Sequence, residues 1–105
     1  MAVEVKTDAD IKSTLEDNEK VVVKYYADWC GNCRLFSPKF KRLSNDGRFS
    51  DVAFLDVNAE NNPESRKLAG VTNLPFFATF KNGELVGCVS ASKEEKVVEL
   101  IEGLS

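Results

Sequence analysis

Residues 21–38 read VVVKYYADWCGNCRLFSP, and the order of residue types in this stretch decides the fold. Apart from Lys24, residues 21–27 are apolar or aromatic, the pattern of a strand covered on both faces. After Gly31, the positions Phe36, Phe40 and Leu43 fall at i, i+4 and i+7, which predicts a helix running to Ser44 and kinked at Pro38. Cys30 and Cys33 therefore sit where a buried strand hands over to a helix. The first amides of a helix have no intrahelical acceptor and its N-terminus is partially positive, so a thiolate on Cys30 is stabilised there and its pKa lowered. Cys33 lies one turn deeper on the same face, shielded from solvent. Such a pair can close and reopen a small disulfide loop, the outer sulfur attacking and the inner one resolving.

Outward from this stretch, helix and strand alternate. Upstream, a weak strand is expected at residues 3–5 and a short helix at 8–17, opened by Thr7 and Asp10 as a capping box and patterned by Ile11 and Leu15. Downstream, residues 52–57 read as a second buried strand. Asn62 as cap and Pro63 at the first helical position open a short helix that ends near Gly70. Pro75 precedes the apolar run 76–80, and Asn82-Gly83 is a two-residue hairpin turn into a strand at 85–90. Ser92 with Glu95 predicts a capping box, and Val97, Leu100, Ile101 and Leu104 predict a closing amphipathic helix. Crossover connections in the first half and a hairpin in the second imply an α/β fold, a mixed central β-sheet with helices on both faces.

The 105 residues suffice for one domain, residues 1–105, with a core of its own. Hydrophobic residues make up 43% and charged residues 30%, the balance of a soluble globular chain. A net charge of −3 leaves no cationic excess for phosphates, so neither nucleic acid nor an anionic membrane is an expected partner. No apolar run approaches the roughly 20 residues of a membrane span. The charged N-terminal segment has no signal-peptide core. A cytoplasmic location is expected, or an organellar one if a targeting segment has been removed. Three cysteines and no histidine disfavour a zinc or iron–sulfur site and a secreted disulfide framework alike. Two cysteines kept as small core residues would need neither the adjacent Trp29 nor the helix start.

The segment at 21–38, with VAFLDVN at 52–58, Gly70-Val71, Leu74-Pro75 and Phe80-Lys81-Asn82-Gly83, closely resembles the thioredoxin family, and the likeness covers nearly the whole chain. It implies a thioredoxin fold and a monomeric protein-disulfide reductase, a carrier in electron transport and redox homeostasis that needs no bound cofactor. It implies Cys30 as the attacking thiolate, Cys33 as the resolving thiol and Pro75 after a cis peptide bond. Trp29, Gly31, Asn32, Asn73, Leu74, Pro75, Ser90 and Ala91 would form the shallow groove that receives a target cysteine. The implied partners are proteins with disulfides and an NADPH-dependent, flavin-containing thioredoxin reductase or another reductant.

Four positions depart from the family pattern. Asn32 replaces the proline between the cysteines, Phe76 a threonine after the cis-proline, and Ala91 a glycine of the groove. Lys24 occupies the place of a buried acid held responsible for proton transfer with the resolving thiol. Two readings of it stand: a pairing with Asp56 on the neighbouring strand, or a cation under the helix that stabilises the Cys33 thiolate directly. Cys88 in the hairpin reads as a small apolar residue or, if exposed, an oxidation-sensitive thiol. Two further functional readings remain open: a disulfide oxidase or isomerase of the same fold, and a redox-regulated binding module.

Overall fold

Five strands and four helices follow one another in the computed structural model, which describes residues 3–105; Met1 and Ala2 lie outside the described residues. In chain order they are β1 (Glu4–Val5), α1 (Ile11–Asp17), β2 (Lys20–Tyr26), α2 (Gly31–Ser44), β3 (Val52–Asn58), α3 (Pro63–Ala69), β4 (Phe76–Lys81), β5 (Glu84–Ser90) and α4 (Glu94–Glu102). The strands form one sheet in the order β1-β3-β2-β4-β5. β3 is parallel to both β1 and β2, whereas β4 is antiparallel to β2 and to β5. The expected mixed sheet is therefore present, with β2 in the middle.

Two apolar layers cover the sheet. On one face Ile11 and Leu15 of α1 and Ala69 of α3 pack on Val21, Val23, Tyr25, Leu55, Val57, Phe76, Ala78 and Phe80. On the other, Phe36, Phe40 and Leu43 of α2 and Val97 and Ile101 of α4 pack on Val22, Phe54 and Phe77. The rings of Phe36 and Phe40 meet Phe77 at centroid distances of 4.8 and 5.8 Å, tilted rather than stacked, as aromatic quadrupoles prefer. Strand period two places Lys24 on the α2 side with Val22, and Asp56 there with Phe54.

Several element ends differ from the sequence reading, each for a physical reason. Helix α1 starts at Ile11, not residue 8, because the Thr7 carbonyl accepts both the Asp10 and the Ile11 N–H groups and closes a turn first. Half of the expected capping box forms, with the Thr7 N–H donating to Asp10 Oδ1 at 2.8 Å. β2 ends at Tyr26, as Ala27 enters the turn toward Cys30. Helix α2 passes through Pro38 as one element. A short 3₁₀ turn, Gly47–Phe49, was not expected; Asp46 caps it by accepting the Arg48 N–H. Ser92 caps nothing: the chain stays extended through Lys93, which is the N-cap of α4. Acidic Glu94 and Glu95 then face the positive helix start. Asn82 and Gly83 both take positive φ, 53° and 83°, as a two-residue hairpin requires.

Asn62 does not cap α3 with its own side chain. Its Nδ2 donates to the Asn58 carbonyl, and its Oδ1 accepts the Asp8 N–H at 2.8 Å. Asp8 then does the capping from across the chain, its carboxylate accepting the Glu64 N–H, the Ser65 N–H and the Ser65 hydroxyl. Partial desolvation raises the Asp8 pKa, but the bonds from Ser65 and Glu64 outweigh it and hold the group below its ordinary 3.8. A carboxyl depressed on folding contributes stability above its unfolded pKa and loses it as pH falls toward the folded value. Asp8→Ala should therefore lower the melting temperature by several degrees at neutral pH. The gap between variant and wild type should close as the scans move below pH 3.8.

Candidate functional site

The turn from β2 into α2 is closed by the Cys30 N–H donating to the Ala27 carbonyl at 3.1 Å. Cys30 has the extended backbone of an N-cap, and its Sγ accepts the Cys33 N–H at 3.2 Å. Sulfur thus takes the place usually filled by a Ser, Thr or Asp oxygen. The donor is the N–H of Cys33 itself, the third residue of the helix. Cys30 and Cys33 are joined by a disulfide, with Cα atoms 5.3 Å apart. Both are buried in this oxidised pair and pack with Ala27 against Tyr26 and Leu74.

A pocket of about 400 Å³ opens on one side of the disulfide, lined by Cys30, Cys33, Lys24, Asp56, Tyr26 and Ser37 among others. Lys24, 2% exposed, stands opposite Asp56 in the parallel register of β2 and β3. Its Nζ lies 3.5 Å from Asp56 Oδ1 and donates to Ser37 Oγ at 2.7 Å. Ser37 Oγ in turn donates to the Cys33 carbonyl at 3.3 Å. Burial lowers the Lys24 pKa and the facing Asp56 carboxylate raises it back in part. Burial raises the Asp56 pKa, and Lys24 offsets that incompletely. The lysine is thus paired with Asp56, as the first of its two readings has it, and it also lines the pocket that Cys33 lines.

A smaller groove of about 160 Å³ lies on the other side, between Trp29, Glu60, Arg66, Asn73 and Leu74. The Trp29 ring is 68% exposed, and its Nε1 donates to Glu60 Oε2 at 2.8 Å, which fixes it at the rim. The Leu74–Pro75 bond is cis. Ser90 pairs with Phe76 across β4 and β5, which brings Ser90 and the following Ala91 beside Pro75. Gly31 and Asn32 are exposed at the start of α2. Of the eight groove positions, Leu74 packs against the cysteine pair, and Trp29, Gly31 and Asn32 adjoin the cysteines in the chain.

Sequence reasoning passed over Leu35, Glu60, Ser37 and Arg34. Leu35 is 73% exposed on the outer face of α2, an apolar residue at a polar helical position, which was a readable signal. Glu60 lies 31 residues from Trp29, and no local pattern pairs them. Arg34 Nη2 donates to the Asp28 carbonyl and borders the pocket mouth. Cys88 is free and exposed on β5, two residues from Ser90, so it is not a packed core residue. Among the described residues there is no group of three or more His, Cys, Asp or Glu that could hold a metal ion, and no helix long and apolar enough to cross a membrane.

The thioredoxin family model matches residues 2–103. Thioredoxin-1 of Schizosaccharomyces pombe is 35% identical over 101 residues, covering 92% of this chain and 96% of its own. The crystal structure of reduced Schistosoma mansoni thioredoxin pre-protein superposes with a TM-score of 0.89 at 32% identity, covering both chains completely. Plasmodium falciparum thioredoxin gives 0.89 at 27% identity, covering 98% of this chain and all of its own. With a two-cysteine disulfide at the head of α2 in this fold, the chain belongs to the thioredoxin family and is a thiol–disulfide oxidoreductase that reduces protein disulfides.

Proposed function

We propose that Cys30 is the attacking thiolate and Cys33 the resolving thiol of this reductase. The observation that carries the assignment is the cap: Cys30 Sγ sits at the N-terminus of a 14-residue helix and accepts a backbone N–H, where a negative sulfur is favoured. In the reduced protein the Cys30 thiolate attacks one sulfur of a target disulfide, and the other target sulfur leaves as a thiolate. The Cys33 thiolate then attacks Cys30 Sγ. The Cys30–Cys33 bond forms, the bond from Cys30 to the target breaks, and two electrons have passed to the target, which departs as a dithiol.

Trp29, Gly31, Asn32, Asn73, Leu74, Pro75, Ser90 and Ala91 receive an extended target segment, with exposed Leu35 widening the apolar contact. Exposure of Trp29, Gly31, Asn32, Asn73 and Ser90 and the small volume of the groove suit a peptide laid across the surface rather than an enclosed small molecule. An NADPH-dependent thioredoxin reductase returns the electrons. The working compartment is a reducing one such as the cytoplasm, where an exposed third thiol at Cys88 stays free. Lys24 and Asp56 tune the second step from below.

Cys33→Ser should accumulate covalent complexes with target proteins through Cys30, visible on non-reducing gels and dissolved by reductant, whereas Cys30→Ser should trap none. The reverse pattern would exchange the two roles. Asn32 carries one of the amides at the helix start that lack an intrahelical acceptor, and proline would remove it. Asn32→Pro should make the Cys30–Cys33 potential more negative by ~30 mV, or ~1.4 kcal/mol, measured by equilibration with a thiol redox buffer.

A further inference from the structure

We propose that Asp56 takes the proton of Cys33 during resolution and returns it when the disulfide is reduced, with Lys24 as its fixed counter-charge. The inference rests on Cys33 being the resolving thiol. Three observations carry it. Asp56 and Cys33 line the same pocket of about 400 Å³, roomy enough for water to bridge them. Asp56 Oδ1 is buried and receives no hydrogen bond from any described residue, so a lone pair is open to accept a proton. Its partner in charge, Lys24 Nζ, is at 3.5 Å, beyond a good hydrogen bond.

Lys24 cannot take the proton itself. Its ammonium has no lone pair, donates to Ser37 Oγ and stands 5.4 Å from the centre of the Phe40 ring, all of which suit the charged form. Asp56 is the group in the pocket with an open acceptor oxygen, and burial raises its pKa from the ordinary carboxylate value, which makes it a better proton acceptor. The ionisable and polar groups facing it are Lys24 and Tyr26 on β2, Asp28 in the following turn, and Cys33, Arg34 and Ser37 on α2. On β1 its neighbour is uncharged Val5. Burial chiefly, with Asp56 and Asp28 adding, raises the Tyr26 phenol, which stays protonated and does not compete for the proton.

The step balances without a further reactant. The Cys33 S–H proton passes to the Asp56 carboxylate, directly or through water, and the sulfur electron pair attacks Cys30 Sγ. The target thiolate leaves with the electron pair of the broken bond. Protonated Asp56 keeps the proton until the Cys30–Cys33 disulfide is next reduced and returns it to Cys33 Sγ as that sulfur leaves. A basic group on β3 facing a cation on β2 thus performs the transfer that the family resemblance assigned to the position of Lys24.

The test is stopped-flow reduction of dithionitrobenzoate by the reduced protein in a Cys88→Ser background, which removes the third thiol. Attack by Cys30 releases the first thionitrobenzoate and closure by Cys33 the second. Asp56→Asn should leave the first phase unchanged and slow the second by about a hundredfold at neutral pH, the deficit vanishing at pH values where the Cys33 thiol ionises unaided. The double variant Lys24→Gln/Asp56→Asn leaves no unpaired buried ion and should show the same selective loss, and so carries the test if the single variant does not fold. Lys24→Gln alone should move the fall of the second phase to higher pH, because loss of the cation raises the carboxyl pKa further. Asp56→Glu should restore part of the rate. A wild-type second phase in the double variant, or a deficit equal at every pH, overturns the proposal. Release of a single equivalent by the wild-type protein would instead remove Cys33 from the resolving role, and the proposal with it.

Discussion

Strand β2 has no free edge and no free face, and the chemistry of this protein hangs from its C-terminal end. It is paired with β3 on one side and β4 on the other, and α1 with α3 and α2 with α4 close the two faces. A slip of one residue would turn every side chain to the opposite layer, so the position of Cys30 four residues past the strand is held as firmly as the core itself. The same enclosure leaves Lys24 almost fully buried at the foot of the pocket. An unpaired ammonium there would cost several kcal/mol, and the parallel register supplies Asp56 directly opposite.

The disulfide has two unlike sides. Toward Trp29 and Leu74 lies a small groove edged by Glu60 and Arg66. Toward Lys24, Asp56 and Ser37 lies a larger pocket that holds a buried ion pair. The first suits a protein segment bearing a disulfide and the second suits protons, so recognition and proton movement approach the sulfurs from different directions. The helix start joins them, because one backbone N–H from Cys33 both caps α2 and reaches Cys30 Sγ.

Membership of the thioredoxin family and the departures from its pattern are compatible for a physical reason. A buried ion is tolerated only with its partner, so a lysine at position 24 requires an acid facing it. Lys24 on β2 with Asp56 on β3 keeps one acid and one base under the active-site helix. Asp56 then places a buried carboxylate in the pocket beside the cysteines from β3, where the family pattern has its acid at the position of Lys24.

Local order was legible in the sequence wherever the signal lies within a few residues. The run 21–23 with its flanking tyrosines, the spacing of Phe36, Phe40 and Leu43, the Asn82-Gly83 turn and the two cysteines at a helix start determine a mixed α/β sheet and a dithiol site. Helix starts were less legible where a distant group does the capping, as Asp8 does for α3 across more than fifty residues, or where an isolated turn competes, as at Thr7. Tertiary structure alone decided which face Lys24 meets, that Glu60 holds Trp29 outward, that Ser90 lies beside Pro75, and that Asp56 has an oxygen without a donor. Periodicity and capping are properties of neighbours along the chain, whereas these contacts exist only once crossovers have brought separate strands into register, and burial then sets the charge, exposure and partners of each group.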